Sequence, residues 1–235
     1  MSHGTHAFLR QRYDAMWSAA RDRIAAGDVE IDPLLTRKAD DNRRGITLII
    51  RPAPEIRERI AAFLDRLRAL EPAQYYYHPD ELHLTILGVF SATEEWQPAF
   101  ARTPEFHAAV AAGVKSLRPF ALQFDGLTAS PAAIVVQGFT DATALNAARD
   151  RLRDELRARG LAMRLEVRFR LEVAHMTAVR FTQPLRDSRA FAQALEKART
   201  HDFGAMTVDA LELVQNDWYM SRDQTVPVHE YPLER

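Results

Sequence analysis

Leu82-His83-Leu84-Thr85-Ile86-Leu87-Gly88-Val89-Phe90 and Ala174-His175-Met176-Thr177-Ala178-Val179 carry one short phrase twice, His-apolar-Thr-apolar. Both runs are rich in aliphatic and β-branched residues, which predicts strands. Residues i and i+2 of a strand face the same side. His83 and Thr85 therefore project together, as do His175 and Thr177, while Leu84, Ile86, Met176 and Ala178 face a packed side. Each strand offers one imidazole and one hydroxyl from a single face. A lone His-x-Thr suits a half-buried pair hydrogen-bonded within a sheet. Two copies that keep the same apolar positions, in a chain with only 8 histidines, point to a shared task. A third match, His3-Gly4-Thr5, has glycine inside and sits in a polar leader, so it reads as coincidence.

Around each copy the same order of elements is predicted. The first unit is strand 46–51, an amphipathic helix 55–70 with Ile56, Ile60, Phe63, Leu64 and Leu67 on one face, the His83 strand, helix 104–117 and strand 120–124. The second is strand 133–139, helix 141–159 capped by Asp141 and closed by Gly160, the His175 strand, helix 185–199 and strand 207–214. A last strand is predicted over 226–233. Residues 7–26 form a helix with a rough stripe of Phe8, Tyr13, Trp17, Ala20 and Ile24, and the polar run 28–44 reads as a solvated connecting loop. The expected fold class is α+β: two pseudo-symmetric β/α lobes with a central cleft, plus an N-terminal helical extension. The domains read as 1–44, helix and linker, and 45–235, bilobal, with lobes of about 45–131 and 132–235.

Composition narrows the function. With 235 residues, 47% hydrophobic and 27% charged, the chain can bury a full core and is not disordered. It has no cysteine, which removes thiol nucleophiles, disulfides and Cys-ligated zinc. Cations and anions balance to a net charge of −1, which disfavours the broad basic surface needed for duplex DNA. No apolar run has the length of a membrane span, and the N-terminus does not read as a signal peptide, so the expected location is the cytoplasm. Dinucleotide, P-loop, zincin and serine-elbow motifs are absent, and no cofactor is implied.

Two imidazoles and two hydroxyls facing one cavity suit displacement at phosphorus. Imidazole takes a proton and imidazolium gives one near neutral pH, and hydroxyls donate to the non-bridging oxygens where charge is held. One strong metal ligand per strand makes no metal site. Among the aromatic residues, Tyr75, Tyr76, Tyr77, Trp218 and Tyr219 fit core packing best, with base stacking as the rival reading. His78, His107, His201 and His229 have no threonine partner.

The paired motifs in two β/α units resemble the two-histidine phosphoesterase superfamily, which includes bacterial RNA 2',3'-cyclic phosphodiesterases also termed 2'-5' RNA ligases. The similarity covers about residues 46–233 and leaves 1–44 outside. It implies motifs on central strands of two lobes, His83 and His175 as acid and base, and Thr85 and Thr177 on the phosphate. Some members carry arginine or tyrosine five residues past the second histidine, here Arg180. Strict strand parity turns Arg180 away from His175 unless the strand ends or bulges before it. The implied function is metal-independent hydrolysis of 2',3'-cyclic phosphates on RNA ends or nucleotides, with ligation as the reverse reaction. The rival is a non-catalytic RNA or nucleotide binder on the same scaffold. Protein partners are not indicated.

Overall fold

The computed structural model describes residues 3–167 and 170–234. Helix α1 (His3–Ala25) is followed by a short 3-10 segment (Leu35–Asp40), strand β1 (Arg44–Ile50) and helix α2 (Pro54–Leu70). Next come β2 (Tyr75–Tyr76), β3 (Leu84–Thr93), α3 (Gln97–Ala101), α4 (Thr103–Val114), β4 (Phe120–Ser130) and β5 (Ala133–Phe139). The chain ends with α5 (Ala142–Ala158), β6 (Ala174–Arg180), α6 (Ser188–Lys197), β7 (Asp202–Val208), β8 (Ala210–Asp217) and β9 (Val226–Pro232). His3-Gly4-Thr5 thus falls in the first turn of α1 rather than in a leader, while Met1 and Ser2 lie outside the described residues.

The strands form two antiparallel sheets, ordered β3-β1-β8-β9 and β2-β6-β5-β4-β7. The α+β, two-lobe architecture expected from sequence is the one observed. The sheets do not divide the chain at 131/132, however. β4 pairs with β5 in the second sheet, and β8 and β9 return to pair beside β1 in the first. The apolar run 207–214, which reads as one strand, is split at Asp209 because it serves both sheets: β7 ends the second and β8 enters the first. β4 also runs past Phe124, where the predicted strand ends. Gly126 has φ +80, and a Cβ there would lie 1.9 Å from the Arg199 carbonyl oxygen, so glycine lets the strand bulge and continue.

The helices close the sheets. Pro54 starts α2, and its predicted face of Ile56, Ile60, Phe63, Leu64 and Leu67 is buried. Asp141 caps α5 by accepting from the amides of Thr143 and Ala144. In α1 the buried stripe is Leu9, Tyr13, Trp17, Ala20 and Ile24; Leu9 takes the place expected for Phe8, which restores regular helical spacing. This helix lies on β4 and β5, beside α5 and α6. One apolar core includes Ile46 and Leu48 of the first sheet and Phe124 and Val136 of the second, so the lobes share their interior.

Candidate active site

β3 and β6 approach each other across the two sheets. The residues of the repeated phrase alternate in burial as expected, although His83 lies just ahead of β3 rather than within it: His83, Thr85, His175 and Thr177 are half-buried, and Leu84, Ile86, Met176 and Ala178 are buried. All four half-buried residues line one cleft of about 260 Å3. The β3 strand is at the edge of its sheet rather than central, while β6 lies between β2 and β5. With no strand beyond it, β3 is free to draw close to β6 of the other sheet.

Arg180 joins them through a β-bulge. Thr177 is paired with Val135, but the next pair is Val179 with Ile134, which leaves Ala178 as an extra residue on β6. One extra residue inverts the alternation beyond it. Ala178 and Val179 are both buried, and Arg180 returns to the face of His175 and Thr177 and lines the cleft. The bulge is held from the other side by the chain leaving β2, where Tyr77 donates its amide to the Ala178 carbonyl at 3.0 Å. Arg180 Nε donates to the Tyr77 hydroxyl at 3.0 Å, which aims the guanidinium. The tyrosine run before the first motif is therefore built into the strand of the second.

The two imidazoles are not equivalent. His83 Nδ1 lies 2.8 Å from the Glu81 carbonyl oxygen. A carbonyl only accepts, so Nδ1 carries the proton and Nε2 of the neutral ring is bare. His175 Nδ1 is buried without a protein partner. Burial pushes His83 down to about 4; the Glu81 carbonyl opposes this, and the Arg51 and Arg180 charges reinforce it. Burial likewise pushes His175 down to about 4, helped by the charges of Arg149, His83 and Arg180. Both rings are thus neutral at pH 7 in the free protein.

Arg149 was not singled out by sequence, where it is one more cation on a helix. It is fully buried on α5. Its Nε donates to the Ile86 carbonyl at 2.9 Å, and its terminal nitrogens donate to the Thr85 and Val173 carbonyls at 3.3 and 2.9 Å and to Asn146 Oδ1 at 3.0 Å. One guanidinium therefore ties β3 inside the first motif to the residue just before β6. Burial pushes it down to about 10, so it stays charged at neutral pH. A sequence signal existed: Arg149 and Arg153 fall on the apolar stripe of α5 between Leu145, Ala148, Leu152 and Leu156. Arg153 donates from two nitrogens to the Glu166 carboxylate, at 2.7 Å each, and so anchors a cleft-lining loop residue with φ 46.

The rest of the wall includes Thr47, Gly88, Asn216, Trp218, Tyr219 and Met220. At Gly88 a Cβ would meet nothing within 4 Å, so its missing side chain leaves room in the cleft. Among the described residues no group of three or more His, Asp or Glu side chains is placed to hold a metal ion. No helix among them is long and apolar enough to cross a membrane.

With this geometry in place, comparison with known proteins decides the family. Residues 56–218 match the 2'-5' RNA ligase superfamily. The chain belongs to that superfamily. Solved structures share the fold at low identity. The Escherichia coli LigT complexed with 3'-AMP is 16% identical, with TM-score 0.58 over 82% of this chain and 99% of its own. TT0787 of Thermus thermophilus is 18% identical, with TM-score 0.55 over 80% and 97%. ATU0111 of Agrobacterium tumefaciens, a conserved protein of unknown function, is 15% identical, with TM-score 0.57 over 90% and 96%. No curated protein sequence matches the chain. Membership of the 2'-5' RNA ligase superfamily indicates phosphoryl-transfer chemistry.

Proposed function

We propose that the protein is a metal-independent cyclic phosphodiesterase that opens 2',3'-cyclic phosphates of RNA ends or nucleotides. The observation that carries this reading is the convergence of two imidazoles, two hydroxyls and one guanidinium on a single cleft. One histidine takes a proton from water as its oxygen bonds to phosphorus; the other gives a proton to the ribose oxygen as its bond to phosphorus breaks. The resemblance to two-histidine phosphoesterases makes the expected product a 2'-phosphate. Thr85, Thr177 and Arg180 hold the non-bridging oxygens, where negative charge concentrates in the transition state. Ligation through a 2'-5' bond is the same displacement with a 5'-hydroxyl in place of water: its oxygen bonds to phosphorus as the bond to the ribose 3'-oxygen breaks, and the same two histidines move the protons. That solved LigT structures carry 3'-AMP, ATP and NADP+ supports a nucleotide-sized ligand. The cytoplasm, where RNA ends are processed, is the compartment the reading implies.

The test is product analysis on a panel of cyclic phosphates with chelator present. Turnover persists in chelator, and His83→Ala or His175→Ala each lowers kcat by about 10²-fold or more, the usual worth of acid–base help. Full activity in the double variant removes both residues from the mechanism. Nucleotide binding without turnover on any member of the panel favours the binding-protein reading.

A further inference from the structure

The backbone ahead of the first motif has a use that the second motif lacks. Two places before His83 is Glu81, whose carbonyl accepts from His83 Nδ1 at 2.8 Å. Two places before His175 is Val173, whose carbonyl is taken by the Arg149 guanidinium at 2.9 Å. Local backbone thus fixes one imidazole only, and His175 Nδ1 has no protein partner. The bond made by one ring nitrogen sets the tautomer of the other. Whatever holds the Glu81 carbonyl in place therefore decides which nitrogen of His83 is bare.

The hold is the buried Glu81 side chain. Its Oε2 accepts from the Tyr75 hydroxyl at 2.6 Å and from the His78 amide at 3.2 Å, and its Oε1 accepts from the Arg222 amide at 3.4 Å. The Glu81 amide donates back to the His78 carbonyl at 2.8 Å, so the 3-10 turn Pro79–Glu81 is closed from both sides. Burial, and next the bond to Glu81, push the Tyr75 phenol up, so it stays a donor. Its oxygen accepts from Lys38 Nζ at 2.5 Å, and Lys38 also donates to Ser221 Oγ at 3.1 Å. One line of hydrogen bonds runs from Lys38 through Tyr75 and Glu81 to the backbone that His83 rests on.

Lys38 lies in the segment 32–43, ahead of the family match that starts at residue 56. That segment is tied down at both ends. Tyr219 donates its hydroxyl to both carboxylate oxygens of Asp32, at 3.0 and 3.1 Å. The Arg43 guanidinium lies 4.1 Å from the Trp218 ring centre and is clamped by Asp41, from Nε at 2.8 Å and a terminal nitrogen at 2.5 Å. The polar run that reads as a solvated loop is thus a buttress, with Asp41 buried in it.

We propose that Lys38, Tyr75 and Glu81 are positioning residues for His83: they lock the turn whose carbonyl keeps the ring proton on Nδ1 and leaves Nε2 to exchange protons in the cleft. The segment ahead of the family match thereby contributes Lys38 to the machinery of the first motif. The inference rests on the reading of His83 as one of the acid–base pair.

The experiment combines nitrogen NMR of the histidine rings at pH 7 with steady-state kinetics on a 2',3'-cyclic nucleotide, using the full chain. In the wild type His83 shows the Nδ1–H tautomer alone. In Glu81→Ala and Tyr75→Phe the Nε2–H tautomer appears beside it, and kcat falls about tenfold while KM stays within about twofold. Glu81→Gln keeps an acceptor for Tyr75 and recovers most of that rate. In Tyr75→Phe the further change Lys38→Met adds little, because both act along one line of bonds. Tyr75→Phe, which removes a single hydroxyl, decides the matter if Glu81→Ala does not fold. A rate loss with His83 still wholly Nδ1–H, or an unchanged kcat, overturns the proposal. A wild type that turns over no cyclic phosphate overturns the hydrolase reading instead, and the spectrum alone then decides: a tautomer shift in the variants upholds the positioning role and its absence overturns it.

Discussion

The proton inventory of the two histidines sets the pH dependence. An imidazole ordinarily titrates near 6.5, and both rings here are pushed down to about 4. Both are neutral at pH 7, yet the proposed reaction needs one of them to carry the extra proton of an imidazolium. The competent, singly protonated form therefore grows as pH falls from 7 toward 4, and a second proton removes the base below that. Steady-state kcat/KM, which reports the free enzyme, is expected to be bell-shaped with its maximum on the acid side of 6.5. It should climb by up to about tenfold per pH unit on the way down from neutrality. A maximum at or above neutral pH contradicts this, and imidazole titration by NMR separates the two rings. The repeated His-apolar-Thr phrase was fully legible in the sequence because strand alternation needs only neighbours. Arg180 was not, because its facing depends on one unpaired residue, Ala178, that no local pattern marks.

Between elements, the spacing of β3 and β6 is governed by α5. Arg149 gives four hydrogen bonds, three of them to backbone carbonyls on the two motif segments. Arg149→Met keeps the apolar stem but leaves those carbonyls unpaired in the interior. The expected cost is about 3 kcal/mol of folding stability, read from denaturant unfolding. Its loss also removes a charge that holds His175 down, so the rate maximum of any folded Arg149→Met protein moves toward higher pH. A stability loss with an unmoved profile would assign Arg149 to packing alone. Helix α5 itself was legible from its cap and stripe. The use of its two buried arginines was hidden, since a charged residue on an apolar stripe names no partner until the opposing strands are in place.

Over the whole molecule, the N-terminal extension is part of the fold rather than an appendage. Leu9, Tyr13, Trp17 and Ile24 are buried against the second sheet and its neighbouring helices, each side chain worth roughly 1.5–3 kcal/mol. Their sum is comparable with the net stability of a domain, about 5–15 kcal/mol. The Tyr13 hydroxyl donates toward the Gly138 and Ala174 carbonyls at 2.9 and 2.8 Å and accepts from both amides at 3.3 and 3.2 Å, so it sits where β5 and β6 pair just ahead of His175. Removal of residues 1–27 is expected to yield protein that aggregates or loses the elution volume and spectrum of the full chain, judged by size-exclusion chromatography and circular dichroism. A truncated chain with native unfolding behaviour would show the second sheet to be self-sufficient.

By itself the sequence determined the class of elements, the two imidazole–hydroxyl faces and the family resemblance, because periodicity and short motifs are set by residues near one another in the chain. Only the tertiary structure decided which sheet each strand joins, that one apolar run is cut at Asp209 to serve two sheets, and that a polar linker backs the aromatic wall. The physical reason is that strand pairing and buried polar contacts join residues far apart along the chain. Asp32 to Tyr219 and Arg149 to Thr85 and Val173 acquire meaning only when the packed core brings them within hydrogen-bond reach.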